Sequence, residues 1–79
     1  MKKQEEEIFC NNIRVLRHQH KLKKQDMARI LHIGVPSLSK LEAGEMPPRL
    51  STEVLFFIYD YFHIRPADMF VPFASFDRE

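Results

Sequence analysis

Apolar side chains recur every three or four positions at the start of the chain. Ile8, Phe9, Ile13 and Leu16 fall on one stripe of a helix, and Glu5, Glu6 and Glu7 precede it, where carboxylates suit a helix N-terminus. This pattern predicts a first helix over about residues 4–20. In the following KLKKQDMARIL, Leu22, Met27, Ala28 and Leu31 point inward while Lys23, Lys24, Asp26 and Arg29 point outward, a short helix over about residues 24–31. His32, Ile33 and Gly34 interrupt it. Gly34 is the residue free to take a backbone conformation that others resist, and Pro36 suits a first helical turn, where its missing N–H is not needed. A third helix therefore starts near Val35, buries Leu38 and Leu41, and stops at Ala43-Gly44, glycine being favoured just past a helix C-terminus.

Pro47 and Pro48 stiffen the loop that follows. Ser51 or Thr52 can cap a fourth helix with Val54, Leu55, Ile58, Tyr59 and Phe62 on its inner side. His63, Ile64 and Arg65 turn the chain, and Pro66 opens a helix of one to two turns through Phe70. The expected fold is all-α, with five helices and no strand. At 79 residues the chain reads as one domain over 1–79, with its core over about 4–70 and a tail over 71–79. A domain this small buries only roughly 60% of its unfolded surface, so it gains from association with a partner.

Composition narrows the chemistry. A lone Cys10 excludes an internal disulfide framework and a Cys-rich zinc site, and suits a reducing compartment; on helix 1 it reads as a small, semi-buried hydrophobe. The four histidines show no metal-ligand spacing, and no nucleophile, base and acid are grouped, so neither a metal, a cofactor nor catalysis is expected. The longest apolar run, Val54 to Tyr59, is six residues against the roughly twenty that a bilayer requires, and the N-terminus does not resemble a secretory signal. Net charge is only +1, but it is unevenly placed: residues 14–49 carry +5, residues 50–79 carry −3. That polarity lets one face approach a polyanion.

Two helices of about eight residues joined by a tight turn, with one helix before and two after, make a helix-turn-helix. Over LKKQDMARILHIGVPSLSKLEAG the chain resembles the phage-repressor type of helix-turn-helix domain, the lambda and 434 repressor and Cro group. Ala28 stands where a small residue lets helix 3 cross helix 2 closely, Ile33 in the apolar slot of the turn, and Leu38 in the inward slot of the recognition helix. Leu41-Glu42-Ala43-Gly44 resembles the family's ending of helix 3, and the segment from Phe62 to Phe70 its closing short helix. The resemblance implies a five-helix lambda-repressor-like fold whose helices 2 and 3 form the DNA-binding unit.

By position, the resemblance assigns Val35, Pro36, Ser37, Ser39 and Lys40 to base edges and Lys23, Lys24 and Arg49 to phosphates. It pairs Arg17 with Glu42 as a brace for the recognition helix. Val35 and Pro36 depart from the long polar readers common in the family, leaving apolar contact with thymine methyls, short hydroxyls and one lysine for direct readout. His32 replaces the usual turn glycine, which requires a left-handed histidine. Phe57, Tyr61, Phe73 and Phe76 are the expected homodimer interface, on an aromatic helix 4 and the tail. The implied function is sequence-specific binding of double-stranded DNA by a small regulator, a repressor of phage or mobile-element type, homodimeric, in a bacterial cytoplasm at the nucleoid. The alternative is a protein-interaction module of the same fold, of antitoxin or anti-repressor type.

Overall fold

The computed structural model describes residues 3–47 and 50–73. Its elements in chain order are α1 (Lys3–Gln19), α2 (Lys24–Leu31), α3 (Val35–Glu42), α4 (Glu53–Phe62) and a closing 3-10 turn (Pro66–Phe70). Among the described residues there is no strand. α1 packs on α3 and on the closing turn, α2 packs on α3 and α4, and α4 meets the closing turn.

One core joins these elements. α1 contributes Phe9, Cys10, Ile13 and Leu16, α2 contributes Met27, Ala28 and Leu31, and α3 contributes Leu38 and Leu41; Val54, Ile58 and Met69 close it from the other side. The helices of the turn motif are thus held by their apolar stripes, since segments of eight residues are too short to be stable helices alone. Cys10 is fully rather than partly buried, and burial followed by Glu6 and Glu7 pushes its thiol above the ordinary value.

The fifth element, expected as a helix of one to two turns, is a 3-10 turn, so the α-helices number four among the described residues. Asp68 N–H bonds the Arg65 carbonyl at 2.9 Å and Val71 N–H bonds the Asp68 carbonyl at 3.2 Å, both over three residues. With Pro66 lacking an N–H and Val71 already extended, the segment is too short to establish a ladder of four-residue bonds. Tyr59 also departs from its expected inward place, being 51% exposed. The buried stripe of α4 is centred between Val54, Leu55, Ile58 and Phe62, and Tyr59 lies roughly 90° around the axis from that centre. At the start of α4, Thr52 occupies the cap position without a side-chain bond, and the Ser51 hydroxyl accepts from the Glu53 N–H at 3.1 Å.

Gly34 does not use its conformational freedom. Its φ is −78°, and the left-handed residue of the turn is His32, at φ 60°. The reason lies in how α2 ends: the N–H groups of His32 and Ile33 bond the carbonyls of Arg29 and Ala28 at 3.2 and 3.0 Å, a closure that requires its left-handed residue directly after Leu31. α3 ends in the same way with Gly44 at φ 90°. Lys21 and His63, after α1 and α4, are left-handed as well, at φ 54° and 62°. A non-glycine residue in this conformation costs roughly 1–2 kcal/mol, offset in part by the backbone entropy that glycine would lose. His63→Gly is therefore expected to stabilise the domain by about 1 kcal/mol, read as a higher urea midpoint with an unchanged m-value.

Candidate nucleic-acid interface

The candidate interface is built on α2, the turn and α3. Lys23 stands at the cap position of α2 in an extended conformation, and its N–H donates to the Asp26 carboxylate at 3.3 Å. A lysine side chain has no acceptor, so it cannot return the reciprocal bond of a capping box and its ammonium stays free for another anion. Lys23 and Lys24 are both exposed.

Gly34 stands at the cap position before α3, and its extended backbone hands over to Val35 and Pro36 in the first turn. Leu38 and Leu41 anchor the helix in the core at 0% exposure, which fixes its rotation. As a result Val35, Pro36 and Lys40 are exposed and Ser37 and Ser39 half-exposed. The Lys24 ammonium reaches across from α2 and donates to the Ser39 hydroxyl at 3.3 Å. Arg49 lies outside the described residues.

Arg17 on α1 and Glu42 at the end of α3 form a two-pronged ion pair. Arg17 Nε donates to Glu42 Oε2 at 2.6 Å and Nη2 to Oε1 at 2.9 Å, with the side chains 14% and 7% exposed. Nη1 donates to the Leu22 carbonyl at 2.9 Å, so one guanidinium joins α1, the loop before α2 and the last turn of α3. The bonds from Glu42 push the guanidinium above its ordinary value and outweigh the opposing effect of burial, so it remains a cation wherever the protein folds. Its bonds to Glu42 and to the Leu22 carbonyl commit this half-buried arginine to positioning α3.

Three contacts were not foreseen from the sequence. The His32 ring stacks on Phe57 at 4.0 Å between centroids, tying the turn of the motif to α4. The Lys24 to Ser39 bond is the second. The third is Asn12, a fully buried amide on α1 whose Nδ2 donates to the carbonyls of Met69 and Val71 at 2.7 and 2.9 Å, while its Oδ1 accepts from the Phe73 N–H at 3.0 Å. A signal for it existed: Asn12 sits at the i+3 and i+4 positions from Phe9 and Ile8, a polar residue inside an apolar stripe.

The expected dimer residues are not brought to one place. Phe57 and Tyr61 line a shallow cleft with Ile30, His32 and Asp60, whereas Phe73 is held on α1 through Asn12 and packs against the core. Phe76 lies outside the described residues. The large apolar side chains that α4 does expose are Phe56, Tyr59 and Tyr61, at 65%, 51% and 54%. Among the described residues no group of three or more His, Cys, Asp or Glu side chains could hold a metal, and no helix is long and apolar enough to cross a membrane.

Two short helices, the second rotated by its buried leucines and braced by a near-buried ion pair, present a partly apolar, partly cationic ridge. No curated protein and no solved structure matches the chain. A family model does, over residues 12–75, which take in α2, the turn, α3, α4 and the closing turn. On that match the chain belongs to the Cro/C1-type HTH DNA-binding domain family.

Proposed function

We propose that this chain regulates transcription as a repressor: it binds double-stranded DNA sequence-specifically as a homodimer in a bacterial cytoplasm and covers a promoter. The observation that carries the reading is the side of α2 and α3 on which Lys23, Lys24 and Lys40 stand exposed, in no ion pair among the described residues, around the outward face of a braced α3. An α-helix fits the major groove, about 12 Å wide, with its first residues toward base edges while the start of the preceding helix meets the backbone. Val35 and Pro36 then meet thymine methyls, Ser37 and Lys40 offer donors, and Lys23 meets a phosphate. Phosphate contacts dominate the affinity and fix the register, and base contacts carry the sequence information.

Association supports specificity, because two copies read two half-sites one helical turn, about 34 Å, apart. The exposed aromatic side of α4 offers a surface for it, through Phe56, Tyr59 and Tyr61 with Phe57 beside them. The same surface favours a second reading, in which the domain binds another protein as a component of antitoxin or anti-repressor type. A hetero-complex that Phe56→Ala and Tyr61→Ala abolish, with no DNA affinity, would establish that alternative.

The test is fluorescence anisotropy on a labelled random duplex, with mass by light scattering. Affinity is expected to fall at least tenfold between about 50 and 200 mM salt. Lys23→Ala should weaken binding to all sequences alike and lower the salt slope by about 1 for each protomer. A flat salt dependence, or an unchanged slope in this variant, overturns the reading; a dimer mass supports the two-half-site arrangement and a monomer mass counts against it.

A further inference from the structure

From the Lys24 Nζ held 3.3 Å from Ser39 Oγ on the outward side of α3, we infer that these two residues act together on a base edge, as a composite donor pair that selects guanine. The inference rests on the DNA-binding reading above and assigns Lys24 to a base where position in the family assigns it to a phosphate.

The geometry supplies the argument. Ser39 stands four residues after Val35, so the two share one side of α3, the side that Leu38 and Leu41 turn away from the core. Lys24 comes from the first turn of α2, and its reach to Ser39 brings the ammonium over the middle of α3 instead of leaving it at the flank. No carboxylate competes for it: Asp26 is engaged by the Lys23 N–H and Arg29, and Glu42 by Arg17. The ammonium donates one of its three protons to the hydroxyl oxygen. That leaves the hydroxyl proton and two ammonium protons for another acceptor, a cluster of donors carrying a positive charge.

Base chemistry then discriminates. In the major groove only guanine presents two neighbouring acceptors, N7 and O6, without a donor beside them. Adenine sets its N6 amino donor against the ammonium, cytosine offers an amino donor, and thymine offers one acceptor next to a methyl group. The donor pair and the apolar Val35-Pro36 end of the same helix thus have different preferences, guanine at one and thymine methyl at the other. Two side chains from different helices perform what a single arginine does elsewhere in one bidentate contact.

The experiment starts from a randomised duplex pool, from which the wild-type chain selects its preferred site. Each guanine of that site is then replaced singly by 7-deazaguanine, which keeps base pairing and loses only the N7 acceptor. For wild type, one position in each half-site should lose about tenfold in affinity, in line with a good base contact. Ser39→Ala, Lys24→Ala and the double variant should each reduce that penalty to less than about twofold, the double no further than the singles, because either residue alone leaves the pair incomplete. Neither side chain supports the core, so melting temperatures should match wild type, which separates loss of reading from loss of fold. A selected site without guanine overturns the inference. So does a 7-deazaguanine penalty that is absent in wild type or persists in Ser39→Ala. Failure of the wild-type chain to bind any duplex at low salt overturns the DNA-binding reading itself, and this inference with it.

Discussion

Glu42→Ala is expected to destabilise the domain by about 3 kcal/mol, a fall in Tm of roughly 10–20 °C for a chain of this size. Removing the carboxylate strands the Arg17 guanidinium, which is 14% exposed and keeps only the Leu22 carbonyl at 2.9 Å as a strong partner. Breaking a fully buried pair from one side typically costs about 3–5 kcal/mol, and the residual exposure places this one toward the lower end. The pair lies between α1 and the last turn of α3, so the loss falls on the packing that orients the candidate recognition helix. Arg17→Lys should recover less than half the difference between wild type and Arg17→Ala. A single ammonium cannot make two parallel bonds to Glu42 and a third to Leu22 in another direction. Thermal melts of the three variants decide the matter, and a Glu42→Ala melt within about 2 °C of wild type would show the pair to be a weak surface contact.

Asn12→Ala should be comparably severe, at about 2–4 kcal/mol. Its amide satisfies two carbonyls and one N–H of the segment from Met69 to Phe73, and the residue is fully buried. Without it those backbone groups either stay buried and unpaired or leave the core for water, and leaving takes Met69 and the half-buried Phe70 and Phe73 with them. Hydrogen exchange distinguishes this from general weakening, because the Phe73 N–H should lose protection well before the amides of α1. Asn12→Asp tests the polarity of the contact. A carboxylate cannot donate to the two carbonyls, so burial raises its pKa; stability is present at low pH, where the protonated acid regains one donor, and is lost as pH rises. Equal stability of this variant at pH 4 and pH 8 would mean that the amide donors contribute nothing.

Together these residues explain how a small core holds a motif of two eight-residue helices. Among the described residues no buried side-chain nitrogen or oxygen lacks a partner, and the two polar groups nearest the core, Asn12 and the Arg17 and Glu42 pair, each join segments far apart in the chain. They specify how α1 meets α3 and the closing turn, which apolar contacts alone define less sharply.

Helix positions were legible along the chain because short-range chemistry sets them. The bounds of α2 and α3 follow from apolar spacing, from Pro36 in the first turn of α3 and from Gly44 after its last one. The partnership of Arg17 with Glu42 could be expected only through family resemblance, since the residues are 25 positions apart. The left-handed His32 that the resemblance required is found at φ 60°, and Gly34 keeps an ordinary φ because the hydrogen bonds that close α2 need their left-handed residue directly after Leu31. Tyr59 misled because an aromatic residue near the edge of a stripe can face either way until a neighbour covers it.

Local periodicity, turn chemistry and charge placement are properties of neighbouring residues, and they sufficed for an all-α chain with a basic helix-turn-helix at its centre. The depth of Asn12, the stack of His32 on Phe57, the bond from Lys24 to Ser39 and the commitment of Phe73 to α1 depend instead on which faces meet after packing. Each joins a side chain to a side chain or backbone group distant in sequence, and only the assembled core brings such groups within hydrogen-bonding or stacking distance.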